Sequence, residues 1–307
     1  MSVPNDTQDR AYRQPENSPP EVAITFVVPV FDKAEFLDEC LHSIRAQSLP
    51  DFEIICINDA STDSSAEILR VHNRSDERVR LLEHASNKGA GASRNAGIDM
   101  ARGRYVRFVD ADDLLPQDSS ETMYERALRT HADVVRGSLA LFRGADTKHF
   151  LSVISVPDRE ITTLRAESKL WIPWWHTSYL ISRDLLYRNN LRYPSLRQGE
   201  DPVFVASVLM NATRISLVED IVYLYRKYRK STGSGQSTFA SICDLLEHAT
   251  LVKSMFDSNF AECWHEGYGP FLLDDFRKVL SRSKLNASQM DTIATRAKSI
   301  WECFQAP

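Results

Sequence analysis

The chain has no pair of cysteines at metal-binding or redox spacing, no apolar run approaching the ~20 residues that span a bilayer, and no strong excess of either charge. Cys40, Cys56, Cys243, Cys263 and Cys303 are scattered, most of them among apolar neighbours, which excludes a disulfide scaffold or a zinc ribbon. They read as reduced, small core residues of a cytoplasmic protein. A net charge of -5 with pI near 5.9 supplies no global field to draw in nucleic acid. With no spanning run, membrane contact is limited to a peripheral one at the inner face. Residues 1–20 have neither an apolar signal core nor an Arg-rich amphipathic pattern, and they hold four prolines among Asn, Gln and charged side chains. They read as a disordered tail.

What is present is enough for one large domain with an appendage: 307 residues and 34.9 kDa. Val22 to Val30 (VAITFVVPV) is apolar and β-branched enough for a buried strand, and Leu37, Cys40, Leu41 and Ile44 follow at helical spacing. Phe52 to Ile57 repeats the strand pattern and leads through the polar turn Asn58 to Asp63 into another helical stretch. Val79 to Glu83, Arg104 to Val109 and Asp133 to Leu141 continue the series, with the glycine-bearing segment Asn87 to Gly97 opening a helix between the first two. Such alternation predicts a mostly parallel α/β sheet covered by helices on both faces. Residues 145–170 carry weaker signals, and the last seventy residues read as helical, with amphipathic stripes around Ile242 to Phe256 and Ile293 to Phe304.

Polar clusters follow the strands, where open α/β sheets bind their ligands. The most informative is Asp110-Ala111-Asp112-Asp113, three carboxylates in four residues directly after an apolar strand. They repel one another and cannot pack into a core, so they call for water, hydrogen bonds or a divalent cation. Asp59 also ends a buried strand, where a carboxylate can accept the N3–H of a uracil or serve as a turn former. Gly89 and Gly91 let backbone approach a ligand, with Arg94 near at hand to pair with phosphate. Glu200-Asp201 precedes Pro202, so Asp201 is either a general base or the cap of the helix that Pro202 starts. Trp174, Trp175 and His176 serve equally well as an aromatic wall for a sugar ring or as core filling.

In order and spacing, Pro29-Val30-Phe31-Asp32, Asn58 to Asp63, Asn87 to Gly97, Asp110 to Asp113 and Gly199-Glu200-Asp201 closely resemble the motifs of family 2 glycosyltransferases of the GT-A fold. The match covers roughly residues 22–235 and leaves 236–307 as a C-terminal helical region; the domain itself is taken as 21–235. The resemblance implies a Rossmann-like sheet and inverting transfer of a sugar from a nucleoside diphosphate donor, UDP-linked by preference, to a hydroxyl of a glycan, lipid-linked or small-molecule acceptor. It implies Pro29, Phe31, Asp59, Gly91, Arg94, Asp110, Ala111 and Arg226 at the donor, and Asp112 on Mg2+ or Mn2+ with Asp113 in support. It also implies Asp201 as base with Glu200 beside it, and sugar contacts from Trp174, Trp175 and His176. Asn58 stands where relatives often carry a second Asp. The basic stretch Arg226 to Lys230 with Ser231 to Ser234 resembles a loop that closes over the diphosphate, and reads equally as a solvated strand end. Two other readings stand beside this one: an inactive relative that binds nucleotide or carbohydrate, and a sugar-1-phosphate nucleotidylyltransferase. The latter is disfavoured because Val30-Phe31-Asp32-Lys33-Ala34 lacks the glycine-rich loop that follows the first strand in that class.

Overall fold

The computed structural model describes residues 22–144, 147, 149–172, 175–196, 198–227 and 238–302. The tail 1–20, Trp174, Cys303 and the stretch from Tyr228 to Ser234 lie outside the described residues.

The first half alternates strand and helix as its sequence predicts: β1 (Ile24–Val30), α1 (Ala34–Arg45), β2 (Phe52–Asn58), α2 (Ser65–Ser75), β3 (Val79–Glu83), α3 (Ala90–Met100) and β4 (Tyr105–Phe108). β1 and β2 are buried almost end to end, as near-continuous apolar runs must be when both faces of a sheet are covered. Alternate side chains of β1 part to opposite sides. Phe26, Val28 and Val30 meet Leu37 and Ile44 of α1 and Leu69 of α2, whereas Val27 joins Ile55, Ile57 and Ile98 of α3. Helix α3 lies so close to β1 that a Cβ on Gly97 would sit 2.2 Å from Val27 Cγ1.

The second half comprises α4 (Ser119–Thr130), β5 (Val134–Phe142), β6 (Ser152–Ile154), β7 (Arg159–Thr162), β8 (Tyr179–Ser182), α5 (Arg183–Arg188), α6 (Glu200–Asn211) and β9 (Ile215–Arg226). The sheet order is β3-β2-β1-β4-β8-β5-β9-β7, with β6 paired to the far part of β5. The β3-β2-β1-β4 half is parallel. Beyond it the sheet is mixed, because β8 inserts antiparallel between β4 and β5, while β5 and β9 run parallel. The expected parallel sheet is therefore complete only in the donor half of the motif series. β6 and β7, three and four residues long and largely exposed, account for the weak signals of 145–170.

Three further helices close the chain: α7 (Phe239–Asn259), α8 (Gly269–Ser281) and α9 (Ala287–Ile300), with a π-helical turn at Cys263–Tyr268. Their stripes, including Ile242, Leu246, Val252, Ile293 and Ala297, enter the same apolar cluster as Val27 and α6. These helices thus continue the core on one face of the sheet. His248 of α7 is buried there, with Nε2 2.6 Å from Tyr268 Oη and the ring edge against Gly199. No helix among the described residues is long and apolar enough to cross a membrane.

Burial pushes His248 from 6.5 down to about 4, so it folds neutral. The unfolded chain takes up a proton below pH 6.5 and the native state does not until about pH 4, so stability is complete above 6.5 and is lost as pH falls through this window. We expect a loss of about 3 kcal/mol from this group, read as the difference between the urea-unfolding pH curves of wild type and His248→Gln.

Candidate active site

A cleft of about 520 Å3 opens beyond the carboxyl ends of β1, β2 and β4 and is lined by Pro29 to Phe31, Lys33, Asp59, Gly89, Arg94, Asp110 to Asp113 and Arg226. Loops after strands converge here because the neighbours of β1 on its two sides, β2 and β4, belong to opposite directions of chain travel. Asp32, with φ at 50°, ties the first two loops together by accepting from Thr62 N at 2.7 Å. Asp63 joins the starts of two helices, accepting from Ala34 N and Ser65 N.

Arg94 organises the floor. Its side chain, 5% exposed, donates from Nη2 to Asp110 Oδ1 at 2.9 Å and from Nη1 to Asp201 Oδ1 at 3.0 Å and Glu200 Oε1 at 3.3 Å. Burial opposes its charge, but Asp201 and Asp110 outweigh that and keep it protonated. The carboxylates expected at the donor and at the acceptor thus meet on one guanidinium, although they are 91 residues apart between Asp110 and Asp201. Arg94 also lines the cleft where the donor was expected; Nη1 and Nη2 are engaged with carboxylates, and Nε has no hydrogen-bond partner among the described residues.

Asp201 does not cap α6. The helix begins at Glu200 after Gly199, whose φ of 80° suits glycine and whose Cβ would meet His248 Nδ1 at 2.7 Å. Pro202 therefore sits in the first turn rather than at its first position. The Asp201 carboxylate turns to Arg94 and to His176, whose Nδ1 lies 2.9 Å from Oδ2. Burial pushes Asp201 up, but His176 and then Arg94 outweigh it and hold the carboxyl at about 2. Glu200 moves the other way, raised by burial and by Asp201.

The acidic turn is held from β9. Asp113 is buried, its Oδ2 accepting from Tyr223 Oη at 2.8 Å and its Oδ1 from Arg226 N at 2.7 Å, while the Tyr223 hydroxyl accepts from Asp110 N at 3.1 Å. Asp113 thereby fixes the turn that lines the cleft. Arg226 lines the cleft and braces it: Nε bonds Asp112 O, Nη1 bonds Gly144 O and Nη2 bonds Glu39 Oε2, and the guanidinium stacks over Phe36 and Phe142. Asp112 points into the cleft, where Lys33 Nζ lies 2.5 Å from its Oδ2. Lys33, Tyr223 and His84 escaped sequence reading because nothing near them in the chain marks their partners.

Asp59 accepts from His84 Nδ1 at 2.8 Å, Lys88 N at 2.9 Å and Gly89 N at 2.8 Å, so it shapes the loop that leads into α3. Pro29, Phe31 and Ala111 line the cleft, with Phe31 44% exposed. Gly91 faces Tyr193 and Glu200 instead, its Cβ position 3.4 Å from each. Trp175 packs against the core and His176 is buried beside Asp201, so neither forms an outer sugar wall. Elsewhere, Asp38, His42 and His72 cluster between α1 and α2. Arg45 Nη1 sits 3.4 Å from His72 Nδ1 and can only donate, which leaves the Nε2 hydrogen for Asp38 and makes the cluster a brace between helices.

This cleft and sheet are those of a glycosyltransferase of the GT-A fold. Residues 25–186 match the model of glycosyl transferase family 2, and the chain belongs to that family. Among curated relatives, GlyG of Streptococcus pneumoniae is 26% identical over 92% of this chain and 97% of its own length. EpsJ of Bacillus subtilis is 31% identical over 66% of this chain, which spans 61% of EpsJ. The chain covers only 32% of a poly(ribitol-phosphate) β-glucosyltransferase of Bacillus spizizenii, at 31% identity. In fold it matches Staphylococcus aureus TarS residues 1–349, solved with UDP-GlcNAc, at a TM-score of 0.71 and 20% identity over 91% of this chain and 82% of that one. It also matches the mannosyltransferase PcManGT of Pyrobaculum calidifontis, solved with GDP-Man and Mn2+, at 0.60 and 19% identity over 95% and 92%.

Replacing Arg94 by Met leaves three carboxylates facing one another without their shared cation. We expect a stability loss of about 3 kcal/mol in chemical denaturation, partly recovered at low pH as the carboxylates protonate.

Proposed function

We infer that the enzyme transfers a sugar with inversion from a UDP-linked donor to an acceptor hydroxyl, with Asp201 as base and Mg2+ or Mn2+ at Asp112. The observation that carries this reading is the shared guanidinium of Arg94, which brings Asp110 of the donor cleft and Asp201 of α6 into one site. Asp110 is suited to the ribose or sugar hydroxyls of the donor. Displacement at the anomeric carbon needs one base: the acceptor O–H gives its proton to Asp201, the oxygen forms the new bond to carbon, and the nucleoside diphosphate leaves with the electron pair. With one displacement, configuration inverts.

The uridine assignment rests on Asp59, whose Oδ2 accepts a single bond in the structure and retains a lone pair for a base N–H, with Phe31 exposed alongside. The UDP-GlcNAc of TarS supports it by analogy. The donor set fits a hard cation. Asp112 offers carboxylate oxygen in the cleft, and the contact with Lys33 shows a position that demands positive charge. A bound Mg2+ or Mn2+ held there neutralises charge growing on the departing diphosphate; PcManGT, solved with Mn2+, supports this assignment. The acceptor is a hydroxyl of a glycan, lipid carrier or small molecule, outside the cleft near α6. Free cysteines Cys40, Cys56, Cys243 and Cys263 suit the reducing cytoplasm, with any membrane contact peripheral.

Mass spectrometry of products from a panel of UDP-sugars with Mn2+ and pooled glycan and lipid acceptors should detect glycosyl transfer. Asp201→Asn should lower kcat by about 100-fold or more, and a full-rate variant removes the base. UDP binding without turnover of any donor points to a binding module, and pyrophosphate released from sugar phosphate and NTP to a nucleotidylyltransferase. In calorimetry with Mn2+, Asp112→Ala should weaken UDP binding about tenfold or more, and unchanged affinity excludes Asp112 as ligand.

A further inference from the structure

His176 was open to two sequence readings, sugar contact or core filler, and its position fits neither. It is 2% exposed, at the start of the 3-10 turn His176–Ser178 that feeds β8. Its ring stands edge-on to Phe108 at 5.9 Å and Tyr193 at 5.8 Å, so it has no freedom to swing out to a sugar. Nδ1 lies 2.9 Å from Asp201 Oδ2, and Nε2 faces Asp110 Oδ1 at 4.0 Å. The preceding Trp175 takes φ 56°, a left-handed conformation unfavourable for a bulky side chain. Strain of this kind persists where surrounding structure enforces it, often at functional sites. Here it delivers the imidazole to the carboxylate.

We propose that His176 is a positioning residue for the base: with Arg94 on one oxygen and His176 on the other, the Asp201 carboxylate is fixed in a single orientation, and this pairing governs the acid limb of catalysis. The proposal rests on the assignment of Asp201 as base. Oδ1 accepts from Nη1 of Arg94 in α3, and Oδ2 has Nδ1 of His176 beside it at 2.9 Å, a close approach whose N–H is not aligned for a full hydrogen bond. A carboxylate held by Arg94 and packed against the imidazole has few orientations open to it, the geometric requirement for taking a proton from an attacking hydroxyl. The charged and titratable groups facing Asp201 are His176, Arg94, Glu200 on its own helix, Asp110, Tyr193 and Tyr225 of β9. Of these, His176 and Arg94 favour the ionised carboxylate, the neighbouring carboxylates oppose it when ionised, and the two tyrosines stay neutral. Removing His176 frees Oδ2 to rotate and to take up a proton more readily.

The test uses the full chain with Mn2+ and two probes, UDP-glucose and UDP-GlcNAc, following UDP release from whichever turns over. His176→Phe should lower kcat about tenfold or more, leave donor KM within about twofold, and move the acid limb of kcat/KM up by about one unit. His176→Asn, whose amide hydrogen falls where the Nδ1 hydrogen stood, should restore both. Should His176→Phe fail to fold, His176→Gln, which presents no donor at that place, substitutes for it. A readout independent of turnover is the 13C carboxyl titration of Asp201 in unliganded protein, whose midpoint should rise in the same variant and return with Asn. An unmoved midpoint overturns the proposal, as does a loss confined to donor KM with an unchanged acid limb. If wild type turns over neither probe, the functional reading is in question while the carboxyl titration still decides the role of His176.

Discussion

A guanidinium taken out of water must be surrounded by acceptors, and Arg94 gathers three carboxylates, Asp110 after β4 and the adjacent Glu200 and Asp201 of α6. That requirement fixes where α6 begins relative to the acidic turn after β4. One cation does not balance three anions. The cleft also holds Asp59 and Asp112, so a dianionic diphosphate entering it meets a surplus of negative charge. Lys33, in contact with Asp112, supplies part of the balancing positive charge on that side of the cleft.

Around this floor the fold supplies two kinds of support. β9 acts as a rail for the acidic turn: Tyr223 and Arg226 grip it through a hydroxyl, a backbone N–H and a guanidinium, and Asp113 is given up to that grip. The α3 loop is shaped by Asp59, which gathers two backbone N–H groups and His84. Residues that read as ligands in the chain are in both cases partly scaffolding. The division is economical, because an aspartate bonded through both oxygens holds its neighbour Asp112 in place in the cleft.

The strand series and the position of every acidic cluster were legible in sequence because they depend on local patterning: β-branched runs, turn residues and helical spacing. β1, β2, β3 and β4 fall within two residues of where periodicity places them. Partner choice was not legible. Nothing in Asp110-Ala111-Asp112-Asp113 tells which side chain faces water, since that is settled by Tyr223 and Arg226 more than a hundred residues later. For Asp201, both local readings were reasonable, and only the arrival of Arg94 and His176 separates them. The antiparallel entry of β8 between β4 and β5 was equally hidden, because a four-residue buried strand carries no mark of its direction.

Gly199 is where the sheet-bound site and the terminal helices touch, with no room between its α-carbon and the His248 ring for even a methyl group. The terminal helices therefore behave as the outer jaw of a vice whose inner jaw is the floor of the cleft. A hybrid enzyme assembled by grafting the tail of a relative onto this sheet would have to reproduce that close abutment within the wider apolar contact. Otherwise the transplanted helices would push the Glu200-Asp201 turn out of line with Arg94.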